Sequence, residues 1–229
     1  MAHTHVIITA AGYGTRFGKD VPKQFVRLGG ESVLGRTIRC FEDCDFVEDI
    51  AVVLPPDYTS GADLGFPKIT HFVKGKKTRA ESVYEGLKKI SQRDFSSQTV
   101  VLVHDGVRPF VTEQVIKNVA TEALAHGAAI AATKVTDTIK EVDAGGFISA
   151  TRNREFLWKA ATPQGFRMDV LLESCKRAEL EGYLESATDE AFLAEKAGYP
   201  VFTVEGNPEN IKITTPADLA IAEAILSTM

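Results

Sequence analysis

The stretch that decides the fold is Val6-Ile7-Ile8-Thr9-Ala10-Ala11, which runs directly into the glycine-containing segment Gly12 to Gly18. A short apolar run that ends in glycines is typical of a buried strand. Further runs of this kind alternate along the chain with segments of helical periodicity. The clearest strand is Thr99 to Val103, and a predicted helix from Thr112 to His126 follows it. This alternation predicts an α/β fold with a mostly parallel sheet.

A different pattern interrupts the alternation between Val135 and Thr151. Thr138 to Val142 alternates with a period of two, and Asp143 to Gly146 has the composition of a turn, so the segment predicts a β-hairpin. We therefore expect a single domain over residues 1–229. Its predicted fold is α/β and Rossmann-like, a mostly parallel twisted sheet with helices on both faces and an inserted β-hairpin arm at about residues 135–155.

Composition excludes several broad classes of protein. The 229 residues include 26 Lys and Arg against 31 Asp and Glu, a net charge of −5, and 44% are hydrophobic. This apolar content argues against disorder, and no apolar run approaches the roughly 20 residues of a membrane span. The negative charge disfavours nucleic acid as a partner. Three cysteines form no disulfide framework, and the N-terminus has no export signal, so we expect a cytoplasmic protein.

The glycine segment after the first strand is suited to hold an anion, because glycine lets backbone N–H groups approach it closely. It is not the dinucleotide fingerprint, which needs a small residue where Phe17 stands, and it lacks the spacing of a Walker A loop. Taken alone, the loop fits a phosphate site and a purely geometric turn equally well. Arg16 and Lys23, which flank a rigid proline turn, favour a polyphosphate.

These residues resemble a known signature. Ala10 to Gly18, followed by Pro22-Lys23-Gln24-Phe25, is similar to the signature of nucleotidyltransferases that activate sugar and polyol phosphates, and its Pro-Lys-Gln form resembles the 2-C-methyl-D-erythritol 4-phosphate cytidylyltransferase family. The resemblance continues in the family's order from Val6 to about Leu226. The other blocks that carry it are His104 to Phe110, Val135 to Lys140, Arg154 with Leu157-Trp158 and Thr162-Pro163-Gln164, Thr188 to Ala191, and Val204-Glu205-Gly206 with Asn210 to Thr214.

The resemblance implies transfer of a cytidylyl group from CTP to 2-C-methyl-D-erythritol 4-phosphate, with CTP as co-substrate and Mg²⁺ as cofactor. It also implies a homodimer with shared active sites. The same chemistry on ribitol 5-phosphate or a related polyol phosphate is the alternative. A non-catalytic nucleotide-binding module is a rival from another class, which we expect to lack Arg16 or Lys23. Because two anions must meet, the reaction needs cations and no protein nucleophile.

The resemblance also assigns candidate site residues. Catalytic roles fall to Arg16, Lys23, Arg154 and Lys212. Nucleotide binding falls to Ala10, Ala11, Gly12, Gly14, Gly75, Ser82, Asp105 and Gly106. Substrate binding falls to Asp105, Arg108, Thr138, Arg154, Thr162, Thr188 and Lys212, and Asp105 is the candidate metal ligand. In the resembled family, Thr138 and Arg154 come from the arm of the neighbouring subunit.

Plainer interpretations stay open for several of these residues. Asp105 could cap a turn and pair with Arg108, Thr188 could cap a helix, and Lys212 could be a surface residue of a strand from Asn210 to Thr214. We interpret His104 as structural. Trp158 is expected in core or interface packing rather than under a base.

One block departs from the family's pattern. Between Lys74 and Ser82, Lys76 stands where the family usually has glycine, and Lys77 where it tends to have an acidic residue. Gly106 stands where alanine is usual. The two lysines alter the block that the resemblance places near the nucleobase and ribose, so the resemblance implies the transfer chemistry but not a strict preference for CTP.

Overall fold

A computed structural model describes residues 3–12, 21–58, 64–92 and 95–229 of the chain. The strands are β1 (His3–Thr9), β2 (Arg27–Leu28), β3 (Glu31–Ser32), β4 (Val47–Leu54), β5 (Ile69–Lys74), β6 (Thr99–Asp105), β7 (Ala128–Lys134), β8 (Lys140–Val142), β9 (Ile148–Thr151), β10 (Trp158–Arg167) and β11 (Phe202–Glu205). The helices are α1 (Val33–Glu42), α2 (Arg79–Ile90), α3 (Glu113–His126), α4 (Met168–Leu180), α5 (Glu190–Lys196) and α6 (Pro216–Ser227).

Seven strands form the main sheet, in the order β11-β7-β10-β6-β1-β4-β5. All neighbours in it pair in parallel except β10, which runs antiparallel to both β6 and β7. The predicted α/β fold with a mostly parallel sheet is confirmed. From β1 the chain builds outward through β4 and β5, and then returns to place β6 on the other side of β1. Ligands of such sheets bind where the strand order reverses, at the carboxyl ends of the strands.

The core lies on both faces of this sheet because successive residues of a buried strand point to opposite sides. Val6 and Ile8 of β1 pack with α1 and α3, where Ile38 and Ile116 are fully buried. Ile7 points the other way, into the cluster under α2, α4 and α5. Helices on both faces thus fix the sheet edge that carries the site.

Sequence patterns did not predict β10. Its segment contains Pro163, and proline argues against a central strand because it cannot donate a ladder hydrogen bond. The structure accommodates Pro163 at a register irregularity between Ala160 and Gln164, where the pairing of β10 with β7 is interrupted. The strand predicted over Asn210 to Thr214 is wrong, since these described residues have no regular secondary structure.

The predicted hairpin is formed by β8 and β9, which pair with each other in a separate two-stranded sheet. Its turn is closed by Asp143, whose Oδ1 accepts hydrogen bonds from the backbone N–H groups of Gly145 and Phe147. Large apolar side chains stay exposed on the arm and just after it: Phe147 is 75% and Phe156 77% accessible. Among the described helices, none is long and apolar enough to cross a membrane.

Candidate active site

A buried glutamine makes hydrogen bonds to the loop that follows β1. Gln24 is 1% exposed, and its amide nitrogen donates to the carbonyl oxygens of Ala10 (2.7 Å) and Gly12 (3.0 Å). In a trans peptide the C=O and the following N–H point in opposite directions. Fixing the carbonyl of Ala10 toward Gln24 therefore turns the N–H of Ala11 away from it, which is the orientation an anion-binding loop needs.

A second wall of the site is the loop between β5 and α2. The backbone N–H of Gly75 donates to the carbonyl of Leu54 at 2.8 Å, and a Cβ at Gly75 would lie 2.3 Å from the Cβ of Ala11. Only glycine permits this approach. Ser82 is buried, and its Oγ accepts a hydrogen bond from the N–H of Lys76 at 2.9 Å, so it shapes the loop.

Asp105 ends β6 beside this loop and is surrounded by cations. Its Oδ2 lies 2.9 Å from Nζ of Lys212 and 3.3 Å from Nε of Arg108, and its Oδ1 lies 3.3 Å from Nε of Arg79. Burial disfavours the Asp105 carboxylate, but the positive charges of Arg79, Lys212 and Arg108 outweigh it and hold its pKa well below the usual range. Asp105 is therefore an anion at any ordinary pH.

Arg79 is a member of this cluster that the candidate assignments missed. It is the first residue of α2, and its Nη1 lies 2.7 Å from both carboxylate oxygens of Glu190. Burial opposes the charge on Arg79, yet Glu190 and Asp105 outweigh it and raise the guanidinium pKa. Burial also raises the pKa of Glu190, against the attraction of Arg79. The signal in the sequence was that Arg79, like Gly75 and Ser82, keeps the family's pattern in the block where Lys76 and Lys77 depart from it.

These parts enclose a cleft of about 580 Å³ at the carboxyl ends of β1 and β6. The structure brings many of the predicted site residues together here, and Lys76, Lys77 and Thr78 join them from the loop before α2. The predicted residues that line the cleft are Ala10, Ala11, Gly12, Lys23, Ser82, Asp105 and Lys212. Gly75 contacts Ala11, and Gly106 donates its N–H to the carbonyl of Thr9 at 2.9 Å, so both lie directly behind the lining.

Other predicted site residues lie outside the cleft or outside the residues that the structure describes. Arg16 and Gly14 lie outside the described residues. Thr138 and Arg154 are exposed on the arm, where Arg154 donates to the carbonyl of Thr136. Neither residue lines the cleft in the part of the chain that the structure describes.

Thr162 and Arg108 both make hydrogen bonds with Asp105 that fix its position. The Oγ1 of Thr162 accepts the backbone N–H of Asp105 at 3.1 Å. Besides its contact with Asp105, Arg108 donates to the carbonyl of Asn210 at 2.9 Å, and the side chain of Asn210 donates to the carbonyl of Thr162 at 2.8 Å. The expected pairing of Asp105 with Arg108 is confirmed, and Asp105 is fixed at once by β6, β10 and the segment that carries Lys212.

Two plainer interpretations can be compared with the structure. Thr188 is exposed and does not cap a helix; the N-cap of α5 is Asp189, whose side chain accepts the N–H of Phe192. The helix-cap interpretation of Thr188 is therefore wrong. His104 is fully buried, its Nε2 pairs with the carbonyl of Arg108 at 3.1 Å, and burial lowers its pKa to about 4, in agreement with a structural role.

The two lysines that depart from the family's pattern differ in their surroundings. Lys77 forms an ion pair with Glu185 at 2.9 Å, which compensates its unusual charge. Lys76 is exposed at the cleft wall. Trp158 is 36% exposed with the ammonium of Lys134 over its ring, so within one chain it is not a core residue, and packing at an interface stays a prediction.

Comparisons with known proteins agree with this geometry. The sequence model of the family 2-C-methyl-D-erythritol 4-phosphate cytidylyltransferase (IspD) matches residues 4–228. The chain is 41% identical to the protein of that name from Symbiobacterium thermophilum, with 96% of this chain and 92% of the relative covered. It is 40% identical to that from Geobacillus thermodenitrificans, with 97% and 96% covered.

Solved structures give the same result. A structure of 4-diphosphocytidyl-2C-methyl-D-erythritol synthase from Anaerococcus prevotii superposes with a TM-score of 0.82 at 30% identity, over 99% of this chain and 96% of that one. The 2-C-methyl-D-erythritol 4-phosphate cytidylyltransferase from Thermus thermophilus gives a TM-score of 0.80 at 32% identity, over 98% and 99%. The chain belongs to the 2-C-methyl-D-erythritol 4-phosphate cytidylyltransferase family.

Proposed function

We propose that this chain transfers a cytidylyl group from CTP to 2-C-methyl-D-erythritol 4-phosphate, giving the CDP-linked polyol and pyrophosphate for isoprenoid precursor synthesis. The observation that carries the proposal is the set of cations gathered beside the loop after β1, in a chain of this family. Lys23 and Lys212 line one cleft although 189 positions separate them in the sequence. Such a cleft neutralises the two anions that must meet.

The reaction is an in-line displacement at phosphorus. A phosphate oxygen of the polyol attacks the α-phosphorus of CTP, and the bond from that phosphorus to the oxygen bridging to the β-phosphate breaks. Pyrophosphate leaves with the electron pair of that bond. No protein nucleophile takes part, so catalysis rests on positioning and on charge stabilisation.

Each predicted residue has a place in this scheme. The backbone from Ala10 to Gly12, with Gly14, would hold the triphosphate, while Arg16 and Lys23 would stabilise the charge that builds on the α-phosphoryl oxygens. Lys212 and the partner arm's Arg154 would orient the attacking phosphate, helped by Thr138. The pocket formed by Gly75, Ser82, Asp105 and Gly106 would take the nucleoside, with Arg108, Thr162 and Thr188 nearer the acceptor.

Mg²⁺ stays a prediction, and so does Asp105 as its ligand. Both oxygens of Asp105 accept contacts from cations, and the described residues contain no group of three His, Cys, Asp or Glu side chains placed to hold a metal. These residues do not fit a preformed ion site. Since Mg²⁺ is usually bound through substrate phosphates, one or two carboxylates and water, it would arrive with the triphosphate.

The assay that tests the function measures pyrophosphate release with CTP, UTP or ATP against methylerythritol phosphate or ribitol 5-phosphate, with and without Mg²⁺. We expect release with CTP and methylerythritol phosphate. Release only with ribitol 5-phosphate would transfer the proposal to the other acceptor. Lys23→Ala should lower turnover far more than it lowers the melting temperature, and Lys117→Ala, on the exposed face of α3, serves as the matched control.

We further propose a homodimer whose arms, at about residues 135–155, complete each other's sites. The exposed Phe147 on the arm and Phe156 just after it support this, because exposed large apolar side chains are typical of an interface. Mixed dimers of Lys23→Ala and Arg154→Ala chains should regain activity, since one of the two sites then carries neither change. Mixed dimers as inactive as the parents would contradict a shared site.

A cytoplasmic location also remains a proposal. Cys40, Cys44 and Cys175 are free thiols. Burial raises the pKa of Cys40 to about 11 and of Cys44 to about 12, which keeps both thiols protonated and unreactive. Free, protonated thiols are compatible with a reducing compartment.

A further inference from the structure

Glu190 is a buried carboxylate that the transfer chemistry has not used. It is the first residue of α5 and is 0% exposed. Both its oxygens lie 2.7 Å from Nη1 of Arg79, whose backbone belongs to α2, 111 positions earlier in the chain. A carboxylate buried this completely costs several kcal/mol of solvation, so a buried ion pair is weak evidence for a stabilising role.

The start of α5 does not need the Glu190 side chain as a cap. Asp189 accepts the N–H of Phe192, and the side-chain oxygen of Gln164 accepts the N–H groups of Glu190 and Ala191, both at 3.1 Å. Gln164 also donates to Asp189 at 2.8 Å. With the helix end satisfied by these neighbours, the contact of the Glu190 side chain is with Arg79.

The positive charge of Arg79 lies in an unfavourable position and needs a carboxylate to compensate it. It occupies the first turn of α2, where the helix dipole disfavours a positive charge. Glu190 accepts a hydrogen bond from Nη1 at 2.7 Å, while Asp105 accepts one from Nε at the longer distance of 3.3 Å. The two N–H groups of Nη2 make no hydrogen bond with any residue in the described ranges, and Arg79 lines the cleft.

The strand β10 connects these groups to Asp105. Thr162 accepts the backbone N–H of Asp105, and two residues later Gln164 fixes the start of α5. Both contacts are therefore made from one short stretch of β10. One strand thus sets the distance between Asp105 and Glu190, and Arg79 spans the gap between them.

We propose that Glu190 is a positioning residue for the transfer reaction: it holds Arg79 in the cleft, where Arg79 orients Asp105 and presents its free N–H groups to the nucleotide. This inference rests on the proposed function. Neither Glu190 nor Arg79 was a candidate site residue from sequence. The planar guanidinium of Arg79 is required for this role, because a lysine ammonium cannot bind two carboxylates in the same fixed geometry.

The test compares Glu190→Gln with Glu195→Gln, which makes the same chemical change on an exposed position of the same helix. Gln at 190 keeps the volume and removes the charge. We expect the KM for CTP to rise about tenfold in Glu190→Gln, and we expect wild-type values in Glu195→Gln. A partly unfolded sample lowers the apparent kcat and leaves KM unchanged, so KM separates positioning from folding.

Arg79→Lys is the second variant, which keeps the positive charge and removes the planar set of guanidinium donors. It should raise the KM for CTP to a similar extent, and combining it with Glu190→Gln should add little, since both changes remove one contact. A KM for CTP within twofold of wild type in folded Glu190→Gln, or in Arg79→Lys where Glu190→Gln does not fold, overturns the inference. If wild type itself releases no pyrophosphate from CTP with either acceptor, the proposed function fails instead.

Discussion

Gly75→Ala is the change that best tests how closely the two loops of the cleft approach. The added Cβ would lie 2.3 Å from the Cβ of Ala11 and 3.2 Å from the carbonyl oxygen of Leu54. Carbon atoms in contact sit about 3.5–4.0 Å apart, so the two loops must separate by roughly 1.2 Å or more. A Cβ is fixed to its backbone, and the N–H of Gly75 is bonded to Leu54, so neither loop can relax by rotating a side chain.

Two magnitudes follow from that displacement. Overpacking of this kind costs about 1–3 kcal/mol of unfolding free energy. Ala11 and Gly12 lie in the proposed triphosphate loop, and a shift of about 1 Å in a positioning element can cost about 100-fold in rate. We therefore expect a modest loss of stability and a much larger loss of kcat/KM for CTP.

Urea unfolding and steady-state pyrophosphate release measure the two effects separately. Gly65→Ala is the matched control, because a Cβ at Gly65 meets no atom of the described residues within 4 Å. We expect Gly65→Ala to behave as wild type in both assays. If Gly75→Ala keeps kcat/KM within twofold of wild type, the close approach of the loops has no part in binding the nucleotide, and the reasoning is refuted.

Three further changes probe the support of the site. Gln24→Leu removes both hydrogen bonds from Gln24 to the loop after β1, so we expect the free energy of unfolding in urea to fall by about 1–3 kcal/mol. The KM for CTP should also rise, and an unchanged KM would show that these hydrogen bonds do not position the loop for the nucleotide. Thr162→Val leaves the N–H of Asp105 without its acceptor and should cost a similar about 1–3 kcal/mol, whereas Thr162→Ser should retain most of the stability. The pKa of His104 is lowered to about 4 by burial, so its neutral form contributes stability that is full above pH 6.5 and falls by up to about 3 kcal/mol as the pH drops toward 4. His104→Gln should flatten that part of the profile, and an identical slope in both proteins would show that His104 does not cause it.

Local sequence patterns were sufficient for most of the secondary structure. Val83, Leu87 and Ile90 lie on one helical face, which predicts a helix over Arg79 to Ile90, and α2 has these bounds. The helix predicted from Thr112 to His126 is α3, and Thr112 is its observed N-cap. Apolar periodicity and caps are determined by residues within a few positions of each other, so they can be found without knowing the fold. Strand β10 could not be found this way, since its Pro163 is tolerated only because the pairing with β7 is interrupted there.

The order of the motif blocks also identified the family and half of the described residues that line the cleft. The sequence could not determine which of two roles a polar residue plays, because that depends on partners far along the chain. For Asp105 the resemblance favours a ligand group over a turn cap, but only the fold shows that Arg79 and Lys212 lie against it. In the structure it pairs with Arg108, as expected, and with these two distant cations as well.

By itself, therefore, the sequence determined the alternation of strands and helices, the hairpin, the glycine loop and the family. The tertiary structure alone decided how the charges are paired. A net charge of −5 conceals a cationic cleft, because Lys23, Arg79 and Lys212 become neighbours only where β1 and β6 end side by side. Electrostatic interactions act over distances in space and are screened within about 10 Å. Glu190 shows this most clearly, since it has a role only through a guanidinium that the fold brings within 2.7 Å of it.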